Sequence, residues 1–146
     1  MNIVKINEDD ISRIVPIFNA YRVHAGKKSN KEQANTFLYN NLKNKNATIF
    51  IAEEENDVIG FIQLYTMLSS MKMSQLLIIN DLFVTEQARG KHVGEKLMNQ
   101  AFQYGKENGY EIMYLETEKT NVAGNKLYQK LGMVLDENHN YYSKPL

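Results

Sequence analysis

The stretch SQLLIINDLFV-TEQARGKHVGEKL, residues 74–97, constrains the fold more than any other. Its apolar first part reads as a strand ending at Val84, the most strongly apolar of the chain and so the expected centre of a sheet. A short loop carrying Arg89, Gly90, Lys91, His92 and Gly94 follows. A helix then runs to about Asn108, with Val93, Leu97, Met98 and Ala101 inward and Gly109 as its stop. A strand feeding a glycine-containing turn into a helix is an anion site by construction. The helix N-terminus leaves N–H groups unpaired and carries partial positive charge. Glycine lets backbone approach a phosphate, and Arg89 and Lys91 add donors. The spacing is neither that of a Walker phosphate loop nor that of a dinucleotide fingerprint.

The rest of the chain sets this unit among others. Residues Asn2 to Ile6 read as a short strand. A helix capped by Asn7 or Asp9 follows, with Ile11, Ile14, Val15, Phe18 and Tyr21 on one face. Pro16 interrupts that pattern and predicts a kink or a broken first turn. Ser29 to Lys43 form a second helix with Ala34, Phe37, Leu38 and Leu42 as its stripe. ATIFIAEEENDVIGFIQLYTM reads as strand, turn and strand, with Asn56-Asp57 as the turn. Ser69 to Ser74 read as a mobile, methionine-rich loop, and Met67, Met71 and Met73 suit an adaptable pocket edge as well as a plain loop. YEIMYLET is a further strand, Asn121 to Leu131 a last helix stopped by Gly132, and MVLDENHNYYSKP a closing hairpin around Asn138. The expected class is α+β (mixed α/β), in the order β-α-α-β-β-β-α-β-α-β-β.

Composition narrows the function. At 146 residues a single domain over 1–146 is expected. Seventeen basic side chains balance seventeen acidic ones, which argues against nucleic acid. The absence of cysteine excludes disulfides, thiolate metal sites and a cysteine nucleophile. The first ten residues lack the apolar core of a signal peptide, and no apolar run approaches a membrane span. A cytoplasmic protein with no membrane partner is expected. His24, His92 and His139 share no metal spacing, so no metal is expected.

Two blocks together resemble the GCN5-related N-acetyltransferase (GNAT) family. The loop is similar to that family's Arg/Gln-x-x-Gly-x-Gly/Ala, with Arg89, Val93 and Gly94 in place and His92 where a glycine is usual. NVAGNKLYQKLGM is similar to Asn-x-x-Ala-x-x-Leu-Tyr-x-x-x-Gly-Phe, with Asn121, Leu127, Tyr128 and Gly132 in register. Gly124 replaces the usual alanine and Met133 the usual phenylalanine. The predicted element order is also that family's, so the resemblance spans nearly the whole chain. It implies a central mixed sheet flanked by helices, and acetyl-CoA as cosubstrate. The anion is then its pyrophosphate, held by the backbone N–H groups of Arg89, Gly90, Lys91, His92, Val93 and Gly94. Leu82, Phe83 and Val84 would line the thioester, one of their N–H groups serving the oxyanion. Asn121 and Asn125 would hold the cofactor arm, and Tyr128 would touch the sulfur and donate its proton.

Without cysteine, direct attack by an amine in a ternary complex is favoured. The amine must lose a proton, since a lysine-like amine has a pKa near ~10.4. Asp81 lies in a strand otherwise rich in Leu and Ile, so it is either hydrogen-bonded structurally or facing a cleft. Glu116 on the next strand is the second candidate base, and a water chain the third. Tyr21 and Arg22 either line the acceptor side of the first helix or are a packed tyrosine and a surface arginine. The expected activity is acetylation of a small-molecule amine. A protein or peptide acetyltransferase and a non-catalytic CoA-binding module are the alternatives, and a homodimer stays open.

Overall fold

The computed structural model describes residues 1–146, in two compact units, Met1–Glu116 and Thr117–Leu146. The first holds β1 (Asn2–Lys5), α1 (Ile11–His24), α2 (Lys31–Lys43), β2 (Ala47–Glu54), β3 (Asp57–Ser69), β4 (Ser74–Val84), α3 (Val93–Glu107) and β5 (Met113–Leu115). The strands lie in the order β1-β2-β3-β4-β5. The first four pair antiparallel, and β5 joins β4 parallel after the α3 crossover. The centre of the sheet is therefore β3, not β4 as the apolar run suggested. β4 reads as central because both its faces are covered, Leu77 lying beside Gly105 of α3 and Phe83 against Tyr21 of α1, and covered faces do not fix a strand's place in the order.

Alternation along the strands assigns the faces. Ile49, Ile51 and Phe61 join Ile14, Phe18 and Leu38 in the core beneath α1 and α2. Phe50 instead packs edge-on against Tyr104 of α3, at 5.7 Å. On that second face Gly60 makes room for α3, since a Cβ there would lie 3.1 Å from Leu97 and Val93. Ile14 and Leu38 have no exposed surface. Truncating either to alanine costs about 2–5 kcal/mol.

Caps and turns account for the element ends. Asn7 caps a 3-10 turn over Glu8–Asp10 by a capping box. The broken first turn thus lies upstream of Pro16, which sits inside α1. α2 starts after Asn30, whose side chain accepts from the Gln33 N–H at 3.0 Å. Ser29 instead accepts from Asn19 of α1, at 2.9 Å. Phe37 is nearly half exposed, so the buried stripe of α2 is Ala34, Leu38 and Leu42. The β2–β3 turn is Glu55-Asn56, one residue earlier than expected, because Glu54 pairs with Asp57. Both turn residues have positive φ, 50° and 70°, as the strand twist requires of a two-residue hairpin. The methionine-rich loop is shorter than expected: Ser69 pairs with Ser74, and the four residues between them turn the chain.

In the second unit, α4 (Val122–Lys130) is capped by Asn121 and ends before Gly132, whose φ is +87°. The closing hairpin expected around Asn138 is not formed, and no strand follows α4. Val134 and Tyr142 are each more than nine-tenths exposed, so no burial supports a ladder there. Asp136 closes a local turn instead, accepting from the Asn138 N–H at 2.8 Å. No helix is long and apolar enough to cross a membrane.

Candidate active site

The site begins with a bulge. Gln63 pairs with Asp81 while Leu64 pairs with Ile79, so Asn80 is an extra residue in β4. An extra residue inverts the facing of everything after it. Beyond the bulge, Asp81 and Phe83 face α1 and α2. Asp81 is buried, and Gln63 opposite it has no exposed surface.

Buried polar groups must be paired, and these are. Asn41 of α2 donates to Gln63 Oε1 at 3.2 Å, and Gln63 Nε2 donates to Asp81 Oδ2 at 2.7 Å. Asn80 Nδ2 reaches the same oxygen at 3.0 Å. Both donors thus fall on Oδ2. The only buried side-chain polar atom left without a partner is Ser74 Oγ. The Oδ1 of Asp81, which no donor reaches, is therefore open to its surroundings.

Those surroundings are a cleft of about 310 Å³ between the sheet and the first two helices. Its walls include Phe18, Tyr21 and Phe37, and its polar lining includes Arg22, Gln33 and Tyr65. Phe18 stacks on Phe37 at 6.0 Å, and Tyr21 packs on both Phe61 and Phe83 at 5.6 Å. The Tyr65 phenol is pushed up to about 12, first by burial and then by the negative charge of Asp81. Tyr21 and Arg22 both line this cleft, and Tyr21 is at the same time packed on the rings of Phe61 and Phe83. Glu116, in contrast, is exposed beyond the end of β5 and is not among the lining residues.

Where β4 leaves the cleft, the sheet opens. The β4–β5 ladder ends at Ile79 and Leu115, while β4 runs on to Val84. Asn80 to Val84 keep β3 on one side and have no strand on the other. Leu82, Phe83 and Val84 are half-buried along this free edge.

The strand then enters the loop before α3, where the sequence predicts an anion site. A 3-10 turn over Glu86–Ala88 precedes it, and its closing bond uses the Arg89 N–H, donated to Glu86 O at 3.3 Å. The Arg89 side chain also turns back: Nε–H donates to Val84 O at 3.2 Å, and the guanidinium lies 5.7 Å from the centre of the Phe83 ring. Arg89 therefore braces the strand end, and the turn that faces outward is Gly90 to Gly94. Gly90 has φ +78° with nothing within 4 Å of where a Cβ would be. His92 is left-handed, φ 62° and ψ 20°, rather than already helical. A glycine is usual there because this conformation costs an L-residue steric strain. The first α3 N–H to close on a loop carbonyl is that of Lys96, bonded to His92 O at 3.1 Å. The N–H groups of Val93 and Gly94 thus precede the intrahelical ladder. The His92 ring is largely exposed, with Nδ1 3.2 Å from Glu95 Oε2. Lys91 is exposed.

In the second unit Asn121 Oδ1 accepts from the Gly124 N–H at 3.1 Å, and its Nδ2 donates to Thr117 Oγ1 at 2.9 Å. A Cβ at 124 would lie 2.3 Å from that Nδ2, which explains glycine in place of the usual alanine. Asn125 Nδ2 donates to the carbonyls of Glu118 and Asn121, at 3.1 and 2.8 Å. Burial raises the phenol pKa of Tyr128.

Sequence reasoning missed Gln63, Asn41, Asn80 and Tyr65. Gln63 carried the same signal as Asp81, a polar residue in an apolar strand. The other three depend on the bulge and on helix placement.

A sequence model of the acetyltransferase (GNAT) family matches residues 12–133. The uncharacterized N-acetyltransferase YhfO of Bacillus subtilis is 38% identical over 142 residues, covering 97% of this chain and 95% of the relative. The crystal structure of a probable acetyltransferase superposes with a TM-score of 0.93 at 31% identity, covering 100% of this chain and 98% of that one. A predicted acetyltransferase of Clostridium acetobutylicum, crystallised with acetyl-CoA, shares the fold at a TM-score of 0.79 and 20% identity, over 97% and 95% of the two chains.

Proposed function

The chain belongs to the acetyltransferase (GNAT) family and is an N-acetyltransferase; on that premise we propose that it acetylates the primary amine of a small molecule from acetyl-CoA, by direct attack within a ternary complex. The observation that carries this reading is the open Oδ1 of Asp81. Asp81 lines a cleft of about 310 Å³, on the strand that runs from the cleft into the loop before α3. A carboxylate so placed binds an ammonium, accepts its proton, and frees the nitrogen lone pair. A cleft of that volume suits a small molecule better than a folded protein surface.

The residues fit acetyl-CoA on structural grounds: a free strand edge, a turn of two left-handed residues, and a helix N-terminus in succession. Gly90 to Gly94 would hold the pyrophosphate through backbone N–H groups. Asn80 to Val84 would bond the pantetheine arm as a strand edge bonds a strand, and one N–H of Leu82 to Val84 would meet the oxyanion. The cosubstrate supplies the acetyl thioester: the amine nitrogen bonds to its carbonyl carbon, the carbon–sulfur bond breaks, and the amine's proton is balanced by one delivered to sulfur. Tyr128, held protonated by burial, is the donor that the resemblance assigns, and Asn121 and Asn125 would hold the cofactor arm. Asp81 is preferred to Glu116 as base because the cleft includes Asp81 and not Glu116. We read residues 1–146 as one N-acetyltransferase domain.

Thiol release from acetyl-CoA, measured with a panel of small amines and of peptides, tests this. Turnover of small amines is expected. Release with peptides alone, or with no acceptor at all, overturns the small-amine reading.

A further inference from the structure

The cleft holds two opposite charges that do not neutralise one another. Asp81 presents Oδ1, its other oxygen being taken by two amides. Arg22, in the last turn of α1, lines the same cleft without a carboxylate partner. The hydrogen bond it makes is long, Nη1 to the Lys28 carbonyl at 3.5 Å. A guanidinium left this open at the edge of an apolar cleft is available for a carboxylate, which it binds with two parallel N–H donors. Phe18, Tyr21 and Phe37 line the same cleft.

We propose that the acceptor is a free amino acid with an apolar side chain, its ammonium on Asp81, its carboxylate on Arg22 and its side chain against the aromatic wall. This rests on the reading of the cleft as the acceptor site, and it names the substrate class. A cleft with one separated positive and one separated negative group is complementary to a zwitterion. A simple amine satisfies Asp81 and leaves Arg22 unused. A polycation gains at Asp81 and is repelled by Arg22, in an environment where charges are screened less than in water. A site built to bond a polar group rejects the analogue that lacks it.

The test compares phenylalanine and leucine, of either hand, with phenethylamine and isoamylamine, which keep the amine and side chain and lack the carboxylate. Thiol release is followed for the parent protein, Arg22→Gln and Arg22→Lys, with thermal melts confirming that each is folded. The parent is expected to favour at least one amino acid over its decarboxylated partner by about 10- to 100-fold in kcat/KM, the worth of a charge-assisted hydrogen bond. In Arg22→Gln that ratio should fall toward one. Arg22→Lys should recover part of it, since the charge returns without the planar fork. Equal kcat/KM for acid and amine in the parent, or a ratio unmoved by Arg22→Gln, overturns the amino-acid assignment and leaves the small-amine reading standing. Absence of release with every acid and amine overturns both.

Discussion

The proposed acceptor cleft and the proposed anion loop are made of different materials. The cleft is a construction of side chains: Asp81 is aimed by a bulge, held by Gln63 and Asn80, and set against rings from two helices. The loop is a construction of backbone: two left-handed residues, Gly90 and His92, and the first turn of α3. Chemistry on the acceptor should therefore be sensitive to single side chains. Affinity for the cosubstrate should depend on N–H groups and φ angles, and tolerate most side-chain changes.

The largest effect expected on the side-chain part comes from Asp81→Asn. It keeps the shape and one oxygen for the Gln63 and Asn80 donors, and turns the other oxygen into an amide nitrogen that cannot accept the proton. Loss of a general base typically costs ~10²–10⁴-fold in rate. Turnover should fall within that range while acetyl-CoA affinity, measured by calorimetry, stays that of the parent. A parallel loss of cosubstrate affinity would show that cleft and loop are not separable in this way.

That division also decides what could be read from the sequence. Backbone sites leave a local trace, because positive φ and close approach demand glycine within a few residues. Gly90, Gly94 and the helix that follows were legible for that reason; Asn121 stood out only through its place in a family motif, and the structure adds that it caps α4, three residues from the N–H it serves. Asp81 stood out only as a carboxylate among apolar neighbours, with two readings open. Deciding between them needed Gln63, 18 residues away in sequence, and the bulge at Asn80. Pairing register is set by the sheet as a whole, so no local pattern announced it. The closing hairpin failed in the opposite sense: apolar residues near Asn138 predicted strands, but a strand needs a partner and a buried face, which a short window of sequence cannot supply.

Tyr128→Phe should have the next largest effect. The phenol is raised by burial, so it remains an acid through neutral and mildly alkaline pH. Removing general acid help should slow turnover toward the lower end of the usual range, about 10²-fold, because a thiolate with a pKa near ~8.5 already leaves well. Cosubstrate affinity should hardly change. Unchanged turnover, where chemistry limits the rate, would remove Tyr128 from the acid role.

Two changes at His92 probe the backbone part. Proline deletes the N–H and cannot adopt φ 62°, so His92→Pro should weaken acetyl-CoA binding by at least about tenfold. His92→Gly keeps the N–H and relieves the left-handed strain, at the loss of the contact with Glu95. Affinity should stay within about 1 kcal/mol of the parent, the worth of one ordinary hydrogen bond, and the melting temperature should not fall. A large loss of affinity with glycine would mean that the ring, not the backbone, holds the anion.

The smallest effect is on stability at high pH, and it returns to the cleft. The folded-state pKa of Tyr65 is about 12, above the ordinary value of 10.0, because burial and the charge of Asp81 both oppose ionisation. Between those values the unfolded chain has lost its phenol proton while the folded chain keeps it. The unfolded state then binds fewer protons, so stability falls as pH rises through this window, and the contribution is intact below it. Tyr65→Phe removes the titrating group, and the alkaline decline in stability, followed by urea unfolding from pH 9 to pH 12, should become shallower. In Asp81→Asn the phenol loses the second cause of its shift and keeps the first, so the window should narrow without closing. An alkaline slope identical in all three proteins would place Tyr65 outside the influence of Asp81, and would separate the phenol from the charge that the cleft is built around.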